Sequence, residues 1–362
     1  MDRELMLARH LPWHDATWSA LQSLKRRGVH AILLHGARGI GKKSLGFDLA
    51  QAVLCELPAE NGRACGHCTG CALMEAGSHA DFRFVLPDAL AALRPGHSLD
   101  EYSDNEESGE IEEVEKEKPT KASREIRIDQ VRALTDFAVV TTHRGGGRVI
   151  LLAPAEALNA PAANALLKLL EEPPEQTLFV LVSDALDELP PTIRSRCVLV
   201  RVEVPTTAIS LAWLAGQGVA DAEGALAAAG GAPLLALEVA SGVLLEPDQQ
   251  ALLIELLERG DTLDAAEIAR RIPREMPVAP TLATMQRWCW DLLGYRAAGC
   301  VRYHPTRRTA IVRLSRKASV EQLWRWADSL MRAQASREHP LNARLVLESI
   351  LLQYQGCLTI TH

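Results

Sequence analysis

Residues 36–42 read Gly-Ala-Arg-Gly-Ile-Gly-Lys and follow the apolar run Ala31–Leu34. A glycine, four residues and then Gly-Lys, set between a strand and a helix, is the spacing of a phosphate-binding loop. Gly36, Gly39 and Gly41 let backbone N–H groups turn toward an anion, and Lys42 adds a positive charge. These four residues are the candidate contacts for ATP or ADP. The next position of such a loop carries a hydroxyl that holds Mg²⁺, and here it is Lys43. Ser44 comes one residue late, about 100° around the helix. The loop is therefore either a weakened nucleotide site or part of a nucleotide fold that has stopped hydrolysing.

Cys55, Cys65, Cys68 and Cys71 form a C-x9-C-x2-C-x2-C cluster with Gly62, Gly66 and Gly70 among them. Four thiolates on a glycine-rich segment suit a tetrahedral Zn²⁺ with no open position, hence a structural site. Incidental buried cysteines and a redox C-x2-C pair are the competing readings. His67 and His79 lie close in sequence but are not needed as ligands.

A nucleotide hydrolase also needs acids at the end of a second strand, to hold magnesium and polarise water. Here the apolar run Val149–Leu152 leads into Ala153-Pro154-Ala155-Glu156. Alanine and proline can do neither job. Glu156 is three residues late and suits an acid at a helix start. After a third apolar run, Leu178–Val182, comes Thr192-Ile-Arg-Ser-Arg-Cys197. Arg196 could reach a phosphate on a neighbouring subunit as an arginine finger. By residue type alone an ordinary surface ion pair fits better, and Arg194 is an equal candidate.

The elements that must position these groups alternate. Apolar runs at 31–34, 149–152 and 178–182, an alternating one at 80–87, and helical patterns at 128–139 and 161–172 predict a parallel α/β sheet of the P-loop type. Residues 1–30 are expected to be helical and amphipathic, with Trp18, Leu21 and Leu24 recurring at helical spacing. Beyond Pro205 only helical periodicity is found, in blocks 206–241 and 247–362. Residues 96–122 read as a disordered acidic loop.

Composition adds bounds. The chain has 362 residues, 48% hydrophobic and 23% charged, ordinary for a globular protein of two or three domains. Ten of its 46 acids fall in residues 100–117, so the net charge of −7 says little about partners. The N-terminus lacks a basic region followed by an apolar run, and the apolar stretch 225–245 is broken by Gly230, Gly231 and Pro233. No membrane segment is expected. Eight cysteines without a secretory signal point to thiols in a reducing, cytoplasmic compartment.

The run Asn164-Ala-Leu-Leu-Lys-Leu-Leu-Glu-Glu-Pro-Pro174, then Thr177–Val182 and Ser195-Arg-Cys197, resembles the ATPase domain of AAA+ clamp loaders of bacterial DNA polymerase III. The four-cysteine insert is shared with that family, and the likeness extends to Leu341–Ile350. It implies a P-loop domain at 1–204 with the zinc insert at 55–71, a helical lid at 205–243 and an all-helical collar domain at 244–362. It further implies Cys55, Cys65, Cys68 and Cys71 as zinc ligands, Arg196 as a finger acting in trans, and Ser183 at a sensor position. Leu234 stands near where an active relative keeps an arginine for the γ-phosphate. With Lys43 and Ala153-Pro154, that selects a non-hydrolysing subunit. Its implied partners are motor subunits of the gamma and tau type, a delta subunit and, through the complex, the sliding clamp and primer-template DNA. An active motor subunit, a nucleotide-binding regulator and a freestanding DNA-binding zinc module are the alternatives. The zinc module has only Arg63 and Arg83 as bases near 63–83, few for tracking phosphates.

Overall fold

A computed structural model describes residues 10–93, 122–139, 142–143, 147–335 and 343–358. Most of the acidic stretch 96–122, and Leu341, lie outside the described residues. The chain divides after Val204 into two compact units.

The first unit is built on five parallel strands: β1 (Ala31–His35), β2 (Phe82–Val85), β3 (Arg148–Leu152), β4 (Thr177–Ser183) and β5 (Val198–Arg201), in the order β2-β3-β4-β1-β5. β1, β3 and β4 are buried on both faces, which is why they read as continuous apolar runs and not as alternation. One face carries Ala31, Leu33, Ile150, Leu152, Phe179 and Leu181 into a core shared with helices Ile128–Val139 and Ala160–Glu171. The other face is covered by helix α1 (Lys42–Leu54), whose Leu45 and Leu49 are fully buried. Ala160–Glu171 starts where the Asn159 side chain caps the Ala162 N–H at 3.0 Å, with Pro161 in its first turn.

Edge strand β5 was not foreseen from the sequence. Of its four residues only Val200 is buried, and among the described strands it pairs with β1 alone. The parallel pairing of β1 with β4 sets His35 beside Ser183. The carboxyl ends of β1, β3 and β4 therefore bring together the loop 36–41, residues 153–156 and Asp184. Open parallel sheets bind ligands at such an edge.

The second unit, from Pro205 onward, is helical. Helices Thr207–Gly216, Ala222–Ala228 and Pro233–Ala240 pack on one another. The helices from Pro247 to Leu358 surround a core of Leu, Ile, Met and Trp. There Trp288 Nε1 donates to Tyr354 Oη at 2.9 Å, Tyr354 Oη donates to the Leu257 carbonyl at 2.8 Å, and Trp326 stacks on Tyr354. Buried Asp291 accepts the N–H groups of Arg302, Tyr303 and His304, anchoring the turn between two helices. The last described helix, Ala343–Leu358, buries Leu347, Ile350, Leu351 and Tyr354 and exposes Leu345 and Leu352. No single described helix is long and apolar enough to cross a membrane.

Candidate functional site

The loop after β1 takes its shape from glycine. Gly36, Gly39 and Gly41 have φ of 145°, 77° and 85°. A Cβ on Gly36 would sit 2.5 Å from the Val202 carbonyl oxygen, and one on Gly41 would sit 2.3 Å from Leu11 Cδ1. Space and conformation both exclude larger residues there. Segment 11–14 lies on the loop: Trp13 Nε1 donates to the Ile40 carbonyl at 2.9 Å and His14 Nε2 meets the same oxygen at 2.8 Å. His14 is buried and its Nδ1 has no partner among the described residues. Burial holds its imidazole down from 6.5 to about 4; the Ile40 bond opposes this, so the ring is neutral with Nε2 as donor.

Lys42 opens α1 and is 2% exposed. Its Nζ donates to the carbonyls of Gly36, at 2.9 Å, and Ala37, and pairs with Asp184 Oδ1 at 2.5 Å. The Asp184 N–H donates to Glu156 Oε1 at 3.0 Å. Glu156 thus crosses from the end of β3 to brace the end of β4. Ser183 is buried and its Oγ accepts the Ala185 N–H at 3.1 Å. Ala153 is fully buried and Pro154 follows it through a cis peptide bond. Ser44 is buried in α1, and Leu234 is buried in the second unit. Asp184, Trp13 and His14 were absent from the sequence reading. Asp184 carries a weak signal, one residue past the polar end of an apolar strand; the other two carry none.

Arg196 lies in the turn between helix Pro191–Arg194 and β5. Its Nε donates to Glu171 Oε1 at 2.7 Å, Nη2 reaches the same carboxylate, and Nη1 donates to the Thr192 carbonyl at 3.0 Å. The guanidinium is one-third exposed. Arg194 faces Asp187 at 4.0 Å. Burial pushes the neighbouring Cys197 thiol up to about 12, leaving it inert.

The four cysteines close into one cluster with all ligand atoms within 4.8 Å of one another. Sγ–Sγ separations are 3.6 Å for Cys55–Cys65, 3.8 Å for Cys55–Cys68 and 3.9 Å for Cys65–Cys71. A tetrahedron of sulfurs at about 2.3 Å from a central zinc has edges of about 3.8 Å. The donor set therefore fits Zn²⁺. The N–H groups of Cys65, Cys68 and Cys71 donate to the Sγ of Cys55, Cys65 and Cys68 at 3.3, 3.3 and 3.4 Å. Burial raises the Cys68 thiol, but the N–H groups of Cys71 and Glu56 outweigh it and bring it to about 6. Cys71 sits in the first turn of helix Thr69–Glu75. The cluster rests on helix Asp15–Arg26: Trp18 Nε1 donates to the Asn61 carbonyl at 3.0 Å, and Arg63 lies over the Trp18 ring and pairs with Asp15.

Comparison with known proteins places the whole chain. Residues 14–206 match the family described as DNA polymerase III, delta subunit. The chain is 34% identical over 359 residues to the DNA polymerase III subunit delta' of Pseudomonas aeruginosa, covering 95% of this chain and 96% of that one. It is 31% identical to the delta' subunit of Escherichia coli K12, over 65% of this chain and 62% of that one. The gamma subunit of Buchnera aphidicola (subsp. Schizaphis graminum) matches at 29% over 48% of this chain and 38% of its own length. The parallel sheet, the four-cysteine cluster and this similarity agree: the chain belongs to the delta' family of DNA polymerase III clamp-loader subunits.

Proposed function

We propose that the chain is the non-hydrolysing subunit of a clamp loader, and that its phosphate chemistry serves a neighbour's nucleotide. The observation that carries the reading is the end of β3. Ala153 and Pro154 stand where a hydrolase needs its magnesium acid, and Glu156 is turned to the Asp184 N–H. Lys43, lacking a hydroxyl, and Leu234, buried and apolar, agree with it. Gly36, Gly39, Gly41 and Lys42 keep the form of a nucleotide loop without the groups for turnover.

In this account the first unit is the P-loop domain. Helices 207–240 make up the small helical domain called the lid in this family, and those from 247 onward pack with other subunits into a collar. Exposed Leu345 and Leu352 on Ala343–Leu358 suit that contact. Zn²⁺ on Cys55, Cys65, Cys68 and Cys71 would tie together the insert that packs on helix Asp15–Arg26, and does no catalysis. Arg196, released from Glu171, reaches the ATP of an adjacent gamma or tau subunit and stabilises charge on the transferring phosphoryl group. With a delta subunit the ring opens the sliding clamp and closes it on primer-template DNA in the cytoplasm.

The test is hydrolysis by the purified chain with Mg²⁺ and ATP, beside clamp loading by a reconstituted complex with and without it. We expect negligible turnover alone and loss of loading on omission. Robust turnover abolished by Lys42→Ala would make the chain an active motor subunit instead.

A further inference from the structure

We propose that Asp184 is a built-in counter-ion for Lys42, so that a nucleoside di- or triphosphate entering the loop must first displace a carboxylate of the protein itself. The inference rests on reading residues 36–42 as a nucleotide loop, and it assigns a regulatory part to a residue outside that motif.

An ammonium has three protons to donate. Those of Lys42 go to the carbonyls of Gly36 and Ala37 and to Asp184 Oδ1, the last at 2.5 Å. At 2% exposure such a charge is costly unless paired and hydrogen-bonded, and these three partners satisfy it. A phosphate therefore finds no spare proton on Lys42. It also meets a negative charge at the end of β4. The clasp is held from behind, because Glu156 Oε1 accepts the Asp184 N–H at 3.0 Å while β1 and β4 pair through His35 and Ser183. Asp184 is itself 36% exposed, so its side chain can swing to solvent when a phosphate replaces it. The loop is thus stable on its own and closed to weak ligands. When a competent state is a minor fraction, apparent affinity falls by that fraction.

The experiment is equilibrium binding of a fluorescent ADP analogue to the full chain, without magnesium. Asp184→Asn keeps size and shape and removes the charge, and Asp184→Ser is a second variant should the first fold poorly. We expect the variants to bind roughly tenfold or more tighter than the parent, and Lys42→Ala in the Asp184→Asn background to lose the gain. Equal or weaker binding by the folded variants would overturn the proposal, as would a gain that survives Lys42→Ala. The readout uses neither hydrolysis nor clamp loading. A chain that fails as a clamp-loader subunit can therefore still pass it, and the reverse.

Discussion

His14 gives a pH dependence that can be worked out in advance. The ring is buried against the loop with Nε2 committed to the Ile40 carbonyl and Nδ1 without an acceptor among the described residues. A second proton would place a charge and an unpaired N–H in the interior, and burial accordingly lowers its pKa from 6.5 to about 4. Between those values the unfolded chain binds the proton and the folded one does not. The stabilisation is fully present above pH 6.5 and is lost as the pH falls toward 4. Between pH 7.5 and 5.5 linkage gives a loss of about 1.4 kcal/mol from this one group. His14→Gln keeps a donor for Ile40 and does not titrate. The parent and the variant should be unfolded in urea at both pH values, with hydrogen exchange of peptides from 31–54 reporting the first unit. The stability difference between them should shift against the parent by that amount at the lower pH. Parallel pH dependence for the two proteins would mean that His14 is not held neutral by burial, and the packing of segment 11–14 on the loop would have to be redrawn.

Gly41→Ala should destabilise the first unit by roughly 2–4 kcal/mol, from a left-handed backbone and a Cβ driven into Leu11 and His14; denaturant unfolding checks it, and a loss under about 0.5 kcal/mol would refute it. Metal analysis of the purified chain should find about one Zn²⁺ per molecule. Removing it with a chelator should speed hydrogen exchange in 55–75 and in the Trp18 helix packed against it, whereas a metal-free chain with full protection there would dismiss the site.

The sequence made visible what is local. The four cysteines lie within seventeen positions, so their spacing alone announces a cluster. The central strands are apolar on both faces and stand out as uninterrupted runs. β5 has one buried residue in four and no such mark. The partners of the key side chains were hidden for another reason. Lys42 and Asp184, or Arg196 and Glu171, are far apart in sequence and meet only through the strand order and the turn before β5. The helix near the C-terminus shows the same limit: only packing separates buried Leu347 and Leu351 from exposed Leu345 and Leu352.

The central claim, that this chain lends Arg196 to another subunit's ATP, is tested most directly by Arg196→Ala in a reconstituted clamp loader, followed by DNA-stimulated, single-turnover ATP hydrolysis. The pair with half-exposed Glu171 adds under about 1 kcal/mol to stability, so the variant should fold and assemble. Hydrolysis at the site facing this subunit should slow by about 10³-fold while the other sites keep their rate. An assembled complex that hydrolyses ATP at every site as fast as the parent would contradict the account.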